Sequence, residues 1–212
     1  LTLVSNERIP LTPPMRLLFE IADLRNASPA TVSRAGVIFV NEDDIGWMPF
    51  VQTWLDTRPD KDQASNLLTL VNKYVPKVMV AVLKQFRKTI PIMQINSAMT
   101  LCYLLDGCLG VGDDAKKGVS PELVETYFVW ACVWSFGGAL LVDKSKSHKE
   151  HFSRWWLEEN KTVKFPVETS VFDVMVDEKK NELVPWTYGD YVHMPGEPVN
   201  NLYVDVPETS RL

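Results

Sequence analysis

The chain has 212 residues, of which 46% are hydrophobic and 23% charged, and its formal net charge is −5. That length holds one large domain or two small ones with a real core, and the composition is ordinary globular chemistry. The negative balance offers no attraction to phosphate backbones or anionic lipid, so nucleic acid is a poor partner.

The first 58 residues read as alternating strand and helix. Leu1 to Ser5 is a short apolar run ending on Asn6-Glu7-Arg8, the pattern of a buried strand that delivers polar side chains to a sheet edge. The chain opens in this run with no basic leader, so no signal peptide is expected, and both ends read as cut from something longer. Pro13-Pro14 begins a predicted helix with Met15, Leu17, Leu18, Ile21 and Leu24 as its apolar stripe. Ser28-Pro29 is a cap followed by proline at the first helical position, which predicts a short helix to about Arg34. Gly36 to Val40 reads as another buried strand. Strand, helix, helix, strand is the closing portion of an α/β layer.

From about Ile45 to Val142 only helices are expected. Trp47 to Asp56 is one, and a segment from Asp60 to Lys88 follows, with a break or kink expected at Pro76. Ile95 to Leu109 is the next, Gly110 to Gly118 a polar turn, and Ser120-Pro121 starts a helix running towards Val142. That helix is apolar nearly all round, which predicts the bundle centre. Glu122 and Glu125 interrupt it, so it reads as a buried helix and not a membrane span. Cys102, Cys108 and Cys132 lie in apolar runs without a CxxC pair, which suits free thiols in a reducing compartment and no zinc site.

After Asp143 the character changes. Lys144 to Lys161 is charged, with Phe152, Trp155 and Trp156 on one side of a predicted surface helix. Val171 to Val176 and Leu183 to Trp186 flank Asp177 to Glu182, a hairpin pattern. From Gly189 onward Pro195, Gly196, Pro198 and Pro207 predict an extended connector. The expected fold class is α+β, mainly helical, in three stretches: the end of an α/β layer over 1–58, a helical bundle over 59–145, and a surface helix, hairpin and connector over 146–212.

Two residues stand out chemically. Arg34 ends a short helix just before a predicted strand, where a guanidinium projects from a rigid edge and can reach a phosphate on a neighbouring subunit. Equally, an arginine at a helix C-terminus offsets the dipole for a few tenths of a kcal/mol. Asn6, at the end of a predicted strand, can orient a water or a phosphate oxygen, or simply bond its own backbone in a turn. His148 and His151 are three apart, but Lys146 and Lys149 beside them favour a solvated charged face over a metal pair. Trp130, Trp134 and Phe136 read as core packing. The sequence contains no GxSxG, HExxH, GxGxxG or GxxxxGK[ST] motif, so the chain alone is expected neither to bind ATP tightly nor to hydrolyse it.

Leu3-Val4-Ser5-Asn6-Glu7-Arg8-Ile9, Leu18 to Leu24 and Ala27-Ser28-Pro29-Ala30-Thr31-Val32-Ser33-Arg34-Ala35-Gly36 together resemble the second AAA+ module of a dynein heavy chain. Trp134-Ser135-Phe136-Gly137-Gly138, Phe165-Pro166 and Val171-Phe172-Asp173 resemble the same family further along, and Val204 to Thr209 resembles the entry to the third module. Ala35 and Val37 depart from the family pattern without touching the arginine. The resemblance, closer to axonemal than to cytoplasmic chains, implies an AAA+ α/β core ending, a helical lid and a hairpin connector. It implies that Arg34 is an arginine finger offered to ATP in the first module and that Asn6 is a sensor facing the second module's own nucleotide. ATP or ADP with Mg would be bound in the intact motor, neighbouring AAA+ modules would be the partners, and microtubules would be engaged indirectly. The location implied is cytoplasmic and cytoskeletal, in a ciliary or flagellar axoneme. The competing expectation is a purely structural helical interaction module in which no residue touches nucleotide.

Overall fold

The computed structural model describes residues 5–10, 12–116, 118–142 and 147–187, with 42 and 43 described by backbone alone. The chain divides into two compact units, Leu1–Asn41 and Glu42–Leu212.

Among its described residues the first unit contains one helix, α1 (Pro29–Arg34). Ser28 caps it as predicted: its Oγ accepts from the Thr31 N–H at 3.2 Å, and Pro29 supplies a preset φ at the first turn. Ala35 turns to extended backbone and ends it. The strand expected over Leu1 to Ser5 falls mostly outside the described residues. The helix expected from Pro13 to Leu24 does not form; after a turn at 13–14 the chain is irregular, with Leu18 97% exposed. Gly36 to Val40 is not a strand either, and Ile38 and Phe39 face solvent. Both patterns encode burial, not autonomous stability. A helix this short is marginal without a packing face, and a strand needs a neighbour's N–H and C=O groups. Among the described residues nothing pairs with 36–40.

The second unit begins with α2 (Glu42–Ile45) and α3 (Met48–Thr57). Helix α4 (Lys61–Gln85) is capped by Asp60, whose Oδ1 accepts from the N–H groups of Asp62 and Gln63, both at 3.0 Å. No break occurs at Pro76. Pro76 and Asn72, whose carbonyl loses its usual donor, both lie on the exposed face, where water can supply the missing hydrogen bond. The buried face meanwhile runs unbroken through Leu67, Leu70, Val71, Tyr74, Val75, Val78 and Val82.

Helix α5 (Gln94–Leu109) is followed by a 3₁₀ turn (Gly112–Asp114). Helix α6 (Pro121–Gly137) starts at Ser120, whose Oγ accepts from the Leu123 N–H at 3.2 Å. It packs on α4, α5 and the hairpin, so the helix without a polar face does sit at the bundle centre. It stops short of the expected Val142. Two glycines weaken it, and the chain beyond pairs instead with the loop after α4: Thr89 N–H donates to the Ala139 carbonyl and Leu141 N–H to the Arg87 carbonyl, both at 2.9 Å.

Helix α7 (His148–Glu159) buries Phe152 and Trp156 completely while Glu150, Arg154, Glu158 and Glu159 on its other side stay exposed. Phe152 meets Phe86 edge-on at 5.5 Å and Trp156 stacks on Tyr74 at 6.3 Å between centroids. The hairpin of β1 (Val174–Asp177) and β2 (Glu182–Pro185) is antiparallel, with Val174 opposite Pro185 and Asp177 opposite Glu182. Side chains fasten it to the helices. Trp130 Nε1 donates to the Val174 carbonyl at 3.1 Å, and Thr126 Oγ1 donates to the Asn181 carbonyl at 3.1 Å.

Candidate functional site

Arg34 is the last residue of α1, and its side chain is exposed. Its guanidinium makes no hydrogen bond or ion pair among the described residues, so its planar set of N–H donors is open to an anion. The Ser28 cap and Pro29 fix the start of the helix that carries it. Asn6 is also exposed and sits in the left-handed region at φ 63°, a conformation asparagine tolerates better than most residues. No hydrogen bond joins Asn6 to Arg34.

The histidine pair is not a solvated face. His148 is buried, its Nδ1 accepting from the Arg87 N–H at 3.3 Å, and its ring lies 6.4 Å from that of His151. Among the described residues no three His, Cys, Asp or Glu side chains gather as a metal site, and no described helix is long and apolar enough to cross a membrane. The cysteines are free thiols. Burial pushes Cys102 up to about 12 and Cys108 up to about 11, and raises Cys132 well above the ordinary value. At neutral pH none of these thiols is a nucleophile.

Two polar clusters escaped the sequence reading. Glu125 on α6 accepts from Lys73 Nζ at 2.7 Å and from Tyr74 Oη at 2.6 Å on α4. Burial tends to raise the Glu125 carboxyl, but these two hydrogen bonds outweigh it and hold the group below the ordinary value. The Tyr74 phenol is raised by burial and by its bond to Glu125.

The second cluster surrounds Arg58, only 2% exposed although it immediately follows α3. Its Nη1 donates to Asp106 Oδ1 at 2.9 Å and to the Gly110 carbonyl at 2.8 Å, and its Nη2 donates to Gln63 Oε1 at 2.9 Å. Trp54 Nε1 donates to the same Asp106 oxygen at 2.9 Å, and the guanidinium lies 5.6 Å from the Trp54 ring centre. Trp54 and Arg58 at helical spacing were visible in the sequence. Their acceptor, Asp106, lies 48 residues past Arg58 on another helix, and no local pattern announces it.

A family model described as the dynein heavy chain AAA lid domain matches residues 67–188. The whole chain is 43% identical to a ciliary dynein beta chain of Tripneustes gratilla and 43% identical to a flagellar outer arm dynein beta chain of Chlamydomonas reinhardtii. It is 41% identical to dynein axonemal heavy chain 9 of Homo sapiens, again along all of its length. The chain spans 5% of the length of each of these relatives. Matched by the family model over more than half its length and by relatives from end to end, the chain belongs to the dynein heavy chain family.

Proposed function

We propose that this chain is part of an ATP-driven microtubule motor of the axoneme, in which Arg34 acts as an arginine finger on the ATP of the preceding AAA+ module. In this reading the segment before Glu42 closes the α/β part of the second module, the helical unit is its lid, and the connector leads to the third. Asn6 is the sensor facing the second module's own nucleotide. ATP with Mg is the substrate of the intact motor, whose phosphate-binding loops lie outside these residues. Relatives named for cilia, flagella and axonemes support the location.

The observation that carries the proposal is the open guanidinium of Arg34 at the end of a capped helix. A structural arginine would be expected to hold an acceptor in its own fold, and this one holds none among the described residues. Charge on the γ-phosphoryl oxygens redistributes in the transition state, and an arginine placed there lowers the barrier. Such fingers contribute on the order of 10³–10⁵ in rate. Because the finger and the phosphate loop sit on different modules, turnover reports their relative position, which couples chemistry to ring motion.

In the intact motor, Arg34→Ala should cut turnover severely while nucleotide affinity at the preceding module stays near normal. Arg34→Lys should recover only part of the rate, since it keeps the charge and loses the planar fork. Lowered melting temperature with near-normal turnover in the folded fraction would instead mark a structural arginine.

A further inference from the structure

We infer that Ser28 is a positioning residue for Arg34: its hydroxyl holds α1 helical and so sets where the guanidinium carried by the last residue of that helix stands. The inference rests on the finger reading for its consequence in turnover, but not for the cap itself.

Three features leave α1 dependent on its first turn. The helix has six residues, and isolated helices shorter than about 12 residues are marginal in water. None of the six is buried, so no side chain contributes the full burial that holds longer helices in place. Its interior, Thr31-Val32-Ser33, is built from residues of middling helix propensity, two of them β-branched. Local hydrogen bonds are what remain.

Ser28 supplies most of these. Its Oγ accepts from the Thr31 N–H at 3.2 Å, and its hydroxyl pairs with that of Thr31 at 2.9 Å. Its carbonyl accepts from the N–H groups of Thr31 at 2.9 Å and Val32 at 3.1 Å. At the other end Ser33 Oγ donates to the Ala30 carbonyl at 3.1 Å, and the Ala35 N–H closes on the Val32 carbonyl at 3.2 Å. Both of the latter bonds need the turn that Ser28 starts. An alanine at 28 would keep the carbonyl and lose both contacts of the hydroxyl.

The displacement at stake is large beside the tolerance of a reacting site. The six steps from Ser28 to Arg34 span about 9 Å along a helix and up to about 20 Å in extended chain. A misplacement of about 1 Å can cost on the order of 10²-fold in rate, so a frayed α1 presents no finger. Turnover then follows the fraction of α1 that is helical. Losing a serine cap lowers the ratio of helical to frayed forms by about fivefold.

The cap is tested by NMR on this chain. Ser28→Ala should reduce the helical Cα secondary shifts over residues 30–34 by about half or more. Ser28→Asn keeps a capping carbonyl and should leave them near wild type. Unchanged shifts in Ser28→Ala overturn the inference.

The positioning role is tested in the intact motor. Ser28→Ala should lower kcat by about two- to fivefold with the ATP KM within about twofold, and Ser28→Asn should restore most of the loss. In an Arg34→Ala background, Ser28→Ala should change kcat by less than about 1.5-fold, because a cap that acts through Arg34 has nothing left to position. A serine with a general structural role would lower turnover by the same factor in both backgrounds. That result, or an unchanged kcat in Ser28→Ala alone, overturns the positioning role. Normal turnover in Arg34→Ala counts against the finger itself, whereas slow Arg34→Ala beside unaffected Ser28→Ala counts against the positioning role only.

Discussion

The helical unit and the segment before Glu42 have similar apolar content and opposite fates. Phe128, Phe152 and Trp156 are fully buried, whereas Leu18, Phe19, Ile38 and Phe39 lie almost wholly in solvent. A helix satisfies its backbone internally and needs only a face to bury, and α4, α5 and α6 provide those faces for one another. A strand of an α/β layer satisfies its backbone only through neighbouring strands. The same kind of hydrophobic run is core in one region and exposed in the other, according to whether a described element covers it.

The sharpest way to break this contrast is one matched pair of substitutions. Phe128→Ala should destabilise the chain by about 3–5 kcal/mol, the range for emptying a fully buried aromatic site. Phe39→Ala should shift the melting midpoint hardly at all, within about 0.5 kcal/mol. Similar losses in both would mean that Phe39 contributes to a core of its own.

A smaller effect is expected where the packing is tightest. A Cβ at Gly137 would stand 2.7 Å from Phe172 Cζ and 2.8 Å from Phe152 Cε1. Gly137→Ala should therefore cost about 1–3 kcal/mol through overpacking, despite alanine's better helix propensity. A stabilised Gly137→Ala chain would show that α6 and α7 have room to separate.

The smallest effect is pH dependence. Glu125 is held below the ordinary glutamate value in the folded state, so it contributes stability above that value and loses it as pH falls through the folded one. Glu125→Gln should flatten the acid limb of a stability–pH curve and leave the neutral plateau slightly lower. An acid limb of unchanged slope would assign the acid sensitivity to other carboxylates.

The same contrast sets how much was legible in the sequence. Ser28 and Ser120 stand as caps where local chemistry put them, and α5 falls where apolar positions at helical spacing put a helix. The hairpin strands are shorter than the apolar runs that predicted them but fall within those runs. What failed depended on partners far along the chain. Among the described residues, nothing covers the run expected as a helix from Pro13 or pairs with the strand expected from Gly36. Pro76 was read as a break or kink because the sequence does not reveal that the Asn72 carbonyl, which it leaves without a donor, lies on the exposed face. At the candidate site, the short capped helix that ends on Arg34 was legible from Ser28-Pro29. The Arg58 cluster was not, since its acceptors lie on α4 and at the end of α5, five to 52 residues further along the chain.

The central claim, that Arg34 stabilises transition-state charge on another module's phosphate, has one direct measurement. In the intact motor, affinity for ADP with vanadate, a mimic of the transferring phosphoryl group, is compared with affinity for ADP alone in wild type and Arg34→Ala. A finger predicts that the substitution weakens the vanadate complex by at least about 10²-fold while ADP affinity changes by less than about twofold. Equal, small changes in both affinities in a folded Arg34→Ala motor would contradict the account and leave this chain as scaffold.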